Sequence, residues 1–302
     1  MHESSPSSVL RDYAVGTAIV ALVLAATFIL IRYTNGLVEP AVRGELGAVE
    51  APGAPAAAAA TTARGSNPAP RGRSAEAAGQ TSMAELTGRF EPRDHPDFVR
   101  LGEAYTDGDG DYLLRREAAA ALTRMVDAAA ADGIALRVRS ATRNFDRQAA
   151  IWGAKWRGER TLSNGVNLGE RPDLSDSAKA RLILLYSSMP GTSRHHWGTD
   201  VDFNAFDNDY FAAGRGAEEY AWLTEHAAEY GFRQPYTSKA RGRTGYEEER
   251  WHWSYAPLSV PYLQAYREAV GYDDIAGFDG AAAAARVGAI EEYVGGVGSG
   301  LR

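Results

Sequence analysis

The spacing of apolar and polar residues divides the chain into three stretches. Between Tyr13 and Ile31 no charged side chain interrupts a run that includes Ile19, Val20, Leu22, Val23, Leu24, Phe28, Ile29 and Leu30. At 1.5 Å per residue, about 19 residues reach across roughly 30 Å of hydrocarbon. The run has no polar face and is expected to form an uncleaved single-pass anchor over residues 13–32. A cleaved signal peptide fits less well, because Arg11 is offset by Asp12 and Glu3 where such a peptide needs a basic start. Arg11 and Arg32 flank the two ends, so charge alone does not orient the span.

From Gly36 to Arg89 there is no aromatic residue, and Ala, Pro, Gly, Ser and Thr dominate. Such a stretch buries too little apolar surface to offset its ordering entropy. Residues 33–89 are expected to be a disordered linker, with an r.m.s. span of roughly 40 Å. Aromatic residues resume at Phe90, and all six tryptophans lie between Trp152 and Trp253, which marks 90–302 as the folded domain. Leu114, Ala118, Leu122, Met125 and Ala129 recur near helical spacing and predict a helix over 114–131. Gly133 ends it, and the alternation of Ile134–Arg139 predicts a strand. Further helices are expected at 146–156, 175–186, 217–230 and 261–270, and strands at 198–203 and 250–254. Helices packed against one small sheet, an α+β fold, is the natural assembly.

Composition narrows the chemistry. A net charge of −7 argues against a nucleic-acid binder, which would show a basic face. The absence of cysteine removes disulfide scaffolds, thiol nucleophiles and Cys-ligated zinc, leaving imidazole and carboxylate as metal ligands.

Three clusters carry candidate chemistry. In Ser193-Arg194-His195-His196-Trp197-Gly198-Thr199-Asp200-Val201-Asp202, Gly198 permits a sharp turn that aims His195 and Asp202 at one point. On a strand, Asp200 and Asp202 share a face. In Glu247-Glu248-Glu249-Arg250-Trp251-His252-Trp253, Glu249 precedes His252 by three. A catalytic zinc needs three protein ligands, an open position and a nearby free carboxylate. His195, Asp202 and His252 can supply the ligands and Glu249 the base. In Ser140-Ala141-Thr142-Arg143-Asn144-Phe145-Asp146-Arg147-Gln148, Arg143 in a strand-to-helix turn is placed to fork onto a carboxylate or oxyanion, and Gln148 to hydrogen-bond substrate. Read singly, each cluster also fits a solvated polar loop; together they favour a site.

Two other motifs carry none. Asp107-Gly108-Asp109-Gly110-Asp111 has the acid spacing of a calcium loop, but Tyr112 stands where glycine is needed and Ala118 where glutamate is needed. It reads as a turn between short strands. The glycine-rich Gly295–Gly300 has no strand before it or helix after it, as a phosphate loop requires.

S-x-H-x-x-G-x-x-x-D followed by E-x-W-H, and preceded by S-x-x-R-x-x-x-x-Q, resembles the VanY-type D-alanyl-D-alanine carboxypeptidases, whose zinc core is shared with D-Ala-D-Ala dipeptidases. The resemblance covers roughly 100–260. It implies a small antiparallel sheet with helices packed on it, and one Zn2+ on His195, Asp202 and His252. Glu249 is implied as catalytic acid/base acting on a metal-activated water, and Arg143 as a catalytic and substrate-binding arginine. Ser193 and Gln148 fall at cleft positions. The family often has a small residue where this chain has Asp200, so Asp200 is expected to orient a zinc ligand or to alter substrate preference, with Trp251 a second neighbour of the ligands. His196 has no family role and reads as structural or cleft-lining.

The resemblance implies hydrolysis of the terminal D-Ala of peptidoglycan stem peptides, by a monomer anchored in the cytoplasmic membrane. The catalytic domain would be periplasmic or extracellular and residues 1–12 cytoplasmic. Two alternatives stand beside it: an endopeptidase built on the same zinc core, and a non-catalytic peptidoglycan-binding protein. The intact Glu249 disfavours the second, since a pure binder has no need of that base.

Overall fold

The computed structural model describes residues 81–302 other than Asp109. The expected anchor at 13–32 and most of the expected linker lie outside these residues. Among the described residues, no helix is long and apolar enough to cross a membrane.

Ordered structure begins N-terminal to Phe90. Helix α1 (Met83–Thr87) is opened by a capping box in which Ser82 Oγ accepts from the Glu85 amide and the Glu85 carboxylate accepts from the Ser82 amide. Leu86 is buried, and its carbonyl accepts from Trp197 Nε1 at 3.1 Å. Composition hides this segment because its five helical residues sit at the edge of the Ala/Gly-rich tract.

Strands β1 (Phe98–Arg100) and β2 (Leu113–Arg115) form an antiparallel pair. The acidic run falls between these two short strands, as its sequence suggests. Asp107 pairs with Arg139 at 3.0 Å and Asp111 with Arg93 at 2.5 Å. Helix α2 (Arg116–Ala131) begins two residues later than its apolar spacing predicts, because Leu114 is taken up by β2. Its inner stripe, Ala118, Leu122, Met125 and Ala129, is fully buried.

The main sheet has four antiparallel strands in the order β3 (Val138–Ser140), β4 (Asp200–Phe203), β6 (His252–Tyr255), β5 (Phe232–Arg233). Strand β3 keeps only the last part of the expected 134–139 strand. Helices α3 (Phe145–Trp156), α4 (Asp176–Ile183) and α5 (Gly214–His226) lie near their expected places, capped where Asn144 accepts from the Arg147 amide and Ser175 from the Ala178 amide. Helix α6 (Ala256–Ala269) runs five residues further back than expected, with Pro261 inside it. Strands β1 and β5, at three and two residues, are too short to show a period. The C-terminal tail packs rather than frays: helix α7 (Ala284–Val287) and the turns after it bury Val287, Val294, Val297 and Leu301.

Register places the site. Asp202 stands opposite His252 across β4 and β6, and opposite Ser140 across β3 and β4. The loop that leads into β4 is buried continuously from Met189 to Phe203.

Candidate metal centre

His195 sits in a 3-10 turn over Arg194–Trp197 that Gly198 closes at φ 72°. A Cβ at Gly198 would meet the Phe98 ring at 2.4 Å, so both the backbone conformation and the close approach require glycine. The turn brings His195 back over β4. There its Nε2, Asp202 and His252 form the one group of three or more potential metal ligands among the described residues, with donor atoms within 4.8 Å of one another and all three residues buried.

Each imidazole has one nitrogen committed outward and one left for the centre. His195 Nδ1 bonds the Ala141 carbonyl at 2.8 Å, while its Nε2 is buried without a hydrogen-bond partner and lies 3.2 Å from Asp202 Oδ2. His252 Nε2 bonds Asp200 Oδ2 at 2.9 Å, leaving Nδ1 at 3.3 Å from Asp202 Oδ1 and 3.2 Å from Glu249 Oε2. Asp202 Oδ1 also lacks a hydrogen-bond partner. Buried polar atoms left unpaired are costly, and here they converge on one point.

The electrostatics favour a cation there. Burial opposes charge on His252, yet Asp202, Asp200 and Glu249 raise its pKa to about 9. Asp202 is itself held down at about 2: burial opposes its charge, but His195 and His252 outweigh it. Burial pushes His195 down, and it pushes Glu249 up despite the hydrogen bond and charge offered by His252. The field that retains a proton on His252 is one a divalent ion can satisfy better, with two imidazoles and a carboxylate as a suitable donor set for zinc.

Asp200 lies behind the group and lines none of the cleft. It is fully buried and accepts from Arg194 Nε at 3.0 Å, Thr199 Oγ1 at 2.6 Å, Ser254 Oγ at 2.8 Å and His252 Nε2. Burial disfavours its charge, but Arg194 and His252 hold its pKa far below the ordinary carboxylate value. Of the two roles open to it from sequence, orienting a ligand matches this position.

His196 points the other way. Its Nε2 accepts from the Gly191 amide at 3.1 Å, so Nδ1 carries the proton and donates to the Arg143 carbonyl at 2.6 Å. Burial lowers its pKa to about 3, keeping it neutral. Its ring rests on Gly88, where a Cβ would meet Nδ1 at 2.3 Å.

A cleft of about 250 Å³ opens on the group, lined by Arg143, Gln148, Trp251 and Glu249 among others. Arg143 Nε is buried and unpartnered, as is Gln148 Oε1, while Gln148 Nε2 donates to the Ser188 carbonyl. Glu249 is clamped by its backbone: its amide donates to Tyr236 O and its carbonyl accepts from Gln234 Nε2. Ser193 is buried at 1% exposure and is not among the cleft-lining residues, so the structure does not bring it to the site's opening. Trp251 lines the cleft wall and packs on Tyr186. Tyr236 and Tyr246 line the cleft unannounced by the sequence, because neither lies in a motif. Tyr236 stands edge-on to His252 at 4.8 Å between ring centres.

Residues 111–258 match the family model VanY, D-alanyl-D-alanine carboxypeptidase. Over this stretch the chain is similar to that family. The chain is 32% identical over 176 residues to YodJ of Bacillus subtilis (strain 168), which bears a carboxypeptidase name, covering 56% of each chain. It is also 32% identical over 139 residues to a D-alanyl-D-alanine carboxypeptidase of Enterococcus faecalis, covering 46% of this chain and 47% of that one. The chain thus spans about half the length of the curated relatives it matches. Among solved structures, it is similar to a vancomycin-resistance D,D-pentapeptidase VanY variant in complex with Zn(II). That likeness has TM-score 0.39 and 25% identity, over 55% of this chain and 88% of that one. It is also similar to the LD-carboxypeptidase LdcB, with TM-score 0.42 and 22% identity, over 60% of this chain and 76% of that one.

Proposed function

We propose that this chain is a zinc-dependent D-alanyl-D-alanine carboxypeptidase that removes the terminal D-Ala from peptidoglycan stem peptides. The observation that carries the reading is the convergence of His195 Nε2, Asp202 and His252 Nδ1 on one buried point beside Glu249. His195, Asp202 and His252 would hold one Zn2+, which when bound supplies Lewis-acid polarisation and acidifies water. Glu249, its pKa raised by burial, faces this point without being needed as a ligand. It takes a proton from the attacking water and returns it to the leaving D-alanine amine, help worth roughly 10²–10⁴ in rate. Arg143 presents its guanidinium to the cleft with Nε unpaired, where it can hydrogen-bond the developing oxyanion. Gln148 Oε1, also unpaired, is available to a substrate N–H.

The test is mass spectrometry of pentapeptide muropeptides after incubation with the purified protein, with and without chelator. Release of one D-alanine, abolished by chelator and restored by zinc, is the expected result. Scission within the stem or cross-bridge would make the protein an endopeptidase, and no cleavage would leave a binding protein.

The same reading sets the domain outside the cytoplasmic membrane on the 13–32 anchor, with residues 1–12 cytoplasmic. Protease added to intact spheroplasts should then shave the domain off. Full protection would place it inside.

A further inference from the structure

Along α3, Arg147, Ile151 and Lys155 recur at intervals of four and all three line the cleft. Arg160, on the segment after the helix, and Arg139, in the middle of β3, line it too. With Arg143, five cations face a cleft whose lining holds two carboxylates, Asp202 and Glu249, and both of these are turned to the metal group. This concentration runs against the composition of a chain of net charge −7.

Little inside the protein compensates these charges. Arg139 has Asp107 at 3.0 Å. Among the described residues, no carboxylate lies within ion-pair distance of Arg147, Lys155 or Arg160. Lys155 is 8% exposed, and its ammonium donates to the Ser187 hydroxyl. Burial, with Arg160 and Arg143 as further like charges, outweighs the attraction of Glu249 and lowers its pKa to about 8. A buried ammonium with only a hydroxyl for a partner is an unfavourable arrangement in the free protein. An anion entering the cleft relieves it.

We propose that this wall selects anionic stem peptides: substrates with free carboxylates upstream of the terminal D-alanines, bound in preference to the same stems with those carboxylates amidated. The terminal carboxylate is common to every D-Ala-D-Ala substrate and cannot account for so long a row of cations. From Arg147 to Lys155 the helix rises about 12 Å, room for roughly three to four residues of extended peptide. The row therefore reaches past the two D-alanines to the residues before them. In a γ-linked D-glutamate and in a diaminopimelate, those residues each keep one free carboxylate. This inference rests on the carboxypeptidase reading for the identity of the substrate, but not for the charge preference itself.

The experiment measures the affinity of the zinc-loaded full chain for two stem pentapeptides that differ only in free or amidated upstream carboxylates, by titration calorimetry. D-alanine release is followed in parallel. The free acid should bind about tenfold more tightly at low salt, the preference shrinking as salt screens it. In the Arg147→Gln/Arg160→Gln double variant, both changes being at exposed positions, the ratio should fall to about one. Equal affinities in the unaltered protein, or an undiminished ratio in the double variant, overturn the proposal. Release of D-alanine with equal affinities sinks the cationic wall alone. Preferential binding of the acid without hydrolysis sinks the carboxypeptidase reading and leaves the wall standing.

Discussion

Glu249 and His252 are three residues apart, and their side chains meet at 3.2 Å, yet their substitutions should separate cleanly. On the proposed mechanism, Glu249→Ala removes a base and no ligand. It should keep its zinc, measured by elemental analysis, and lose about 10²–10⁴ in turnover. His252→Ala should lose the metal as well. On the same reading Asp200 would act through His252, whose Nε2 it contacts at 2.9 Å: Asp200→Asn keeps the shape but weakens that partner. Metal affinity, read by competition with a chromophoric chelator, should fall about 10–100-fold. The same change strips the charge opposite buried Arg194, so the protein should also lose roughly 3 kcal/mol of stability in denaturant titration. If affinity is unchanged while stability falls, Asp200 serves only the core. The adjacent histidines 195 and 196 show how little a residue's type says by itself. One leaves a nitrogen free at the centre. The other spends both nitrogens on backbone groups.

At the scale of elements, the N-terminal helix and the His195 turn support each other. Glu85 accepts from Arg115 Nη2 at 2.6 Å, and Arg115 Nε donates to the Trp197 carbonyl at 2.8 Å, next to Gly198. Burial works to raise the pKa of Glu85, but the Ser82 amide and Arg115 outweigh it and hold the group below its ordinary 4.5. A carboxylate with a lowered folded-state pKa contributes stability above its unfolded value and loses it as pH falls through the folded one. Glu85→Gln should therefore cost about 1–2 kcal/mol at pH 7. The gap should close in thermal melts taken progressively below pH 4.5, and a gap that persists in acid would mean the carboxylate's charge is not what Arg115 reads. Gly198→Ala tests the turn from the other side. It forces a left-handed conformation on alanine and drives Cβ against Phe98, so a loss of about 1–3 kcal/mol is expected. Zinc content should fall with it, because His195 rides on that turn.

For the molecule as a whole, an ion held by His195, Asp202 and His252 would tie β4, β6 and the loop ahead of β4 into one cross-linked unit. A ligand bound only by the folded state stabilises it by about 4 kcal/mol at a thousandfold excess over Kd. Chelation should lower Tm on the order of 10 °C. An unchanged Tm would mean that these residues hold no ion in the folded protein.

Much of this organisation was legible in order and spacing. The helical repeat of Leu114, Ala118, Leu122, Met125 and Ala129 marked α2. The tryptophans all fell within the folded region, though it starts before Phe90, and the histidine-bearing motifs and Arg143 named residues that meet at the centre and its cleft. These are properties of near neighbours, and local sequence encodes them. The capping box at Ser82 was also written locally, but a composition average over its alanine-rich surroundings concealed it. What no local pattern contains is register: one residue of slip between β4 and β6 would turn Asp202 or His252 to the opposite face. Nor could spacing tell which histidine turns inward, that Ser193 stays outside the cleft wall, or that Arg147, Lys155 and Arg160 share one opening with Asp202. Those facts depend on how distant segments pack. Only in the folded chain do the long-range contacts that bury residues 189–203 decide where each side chain can point.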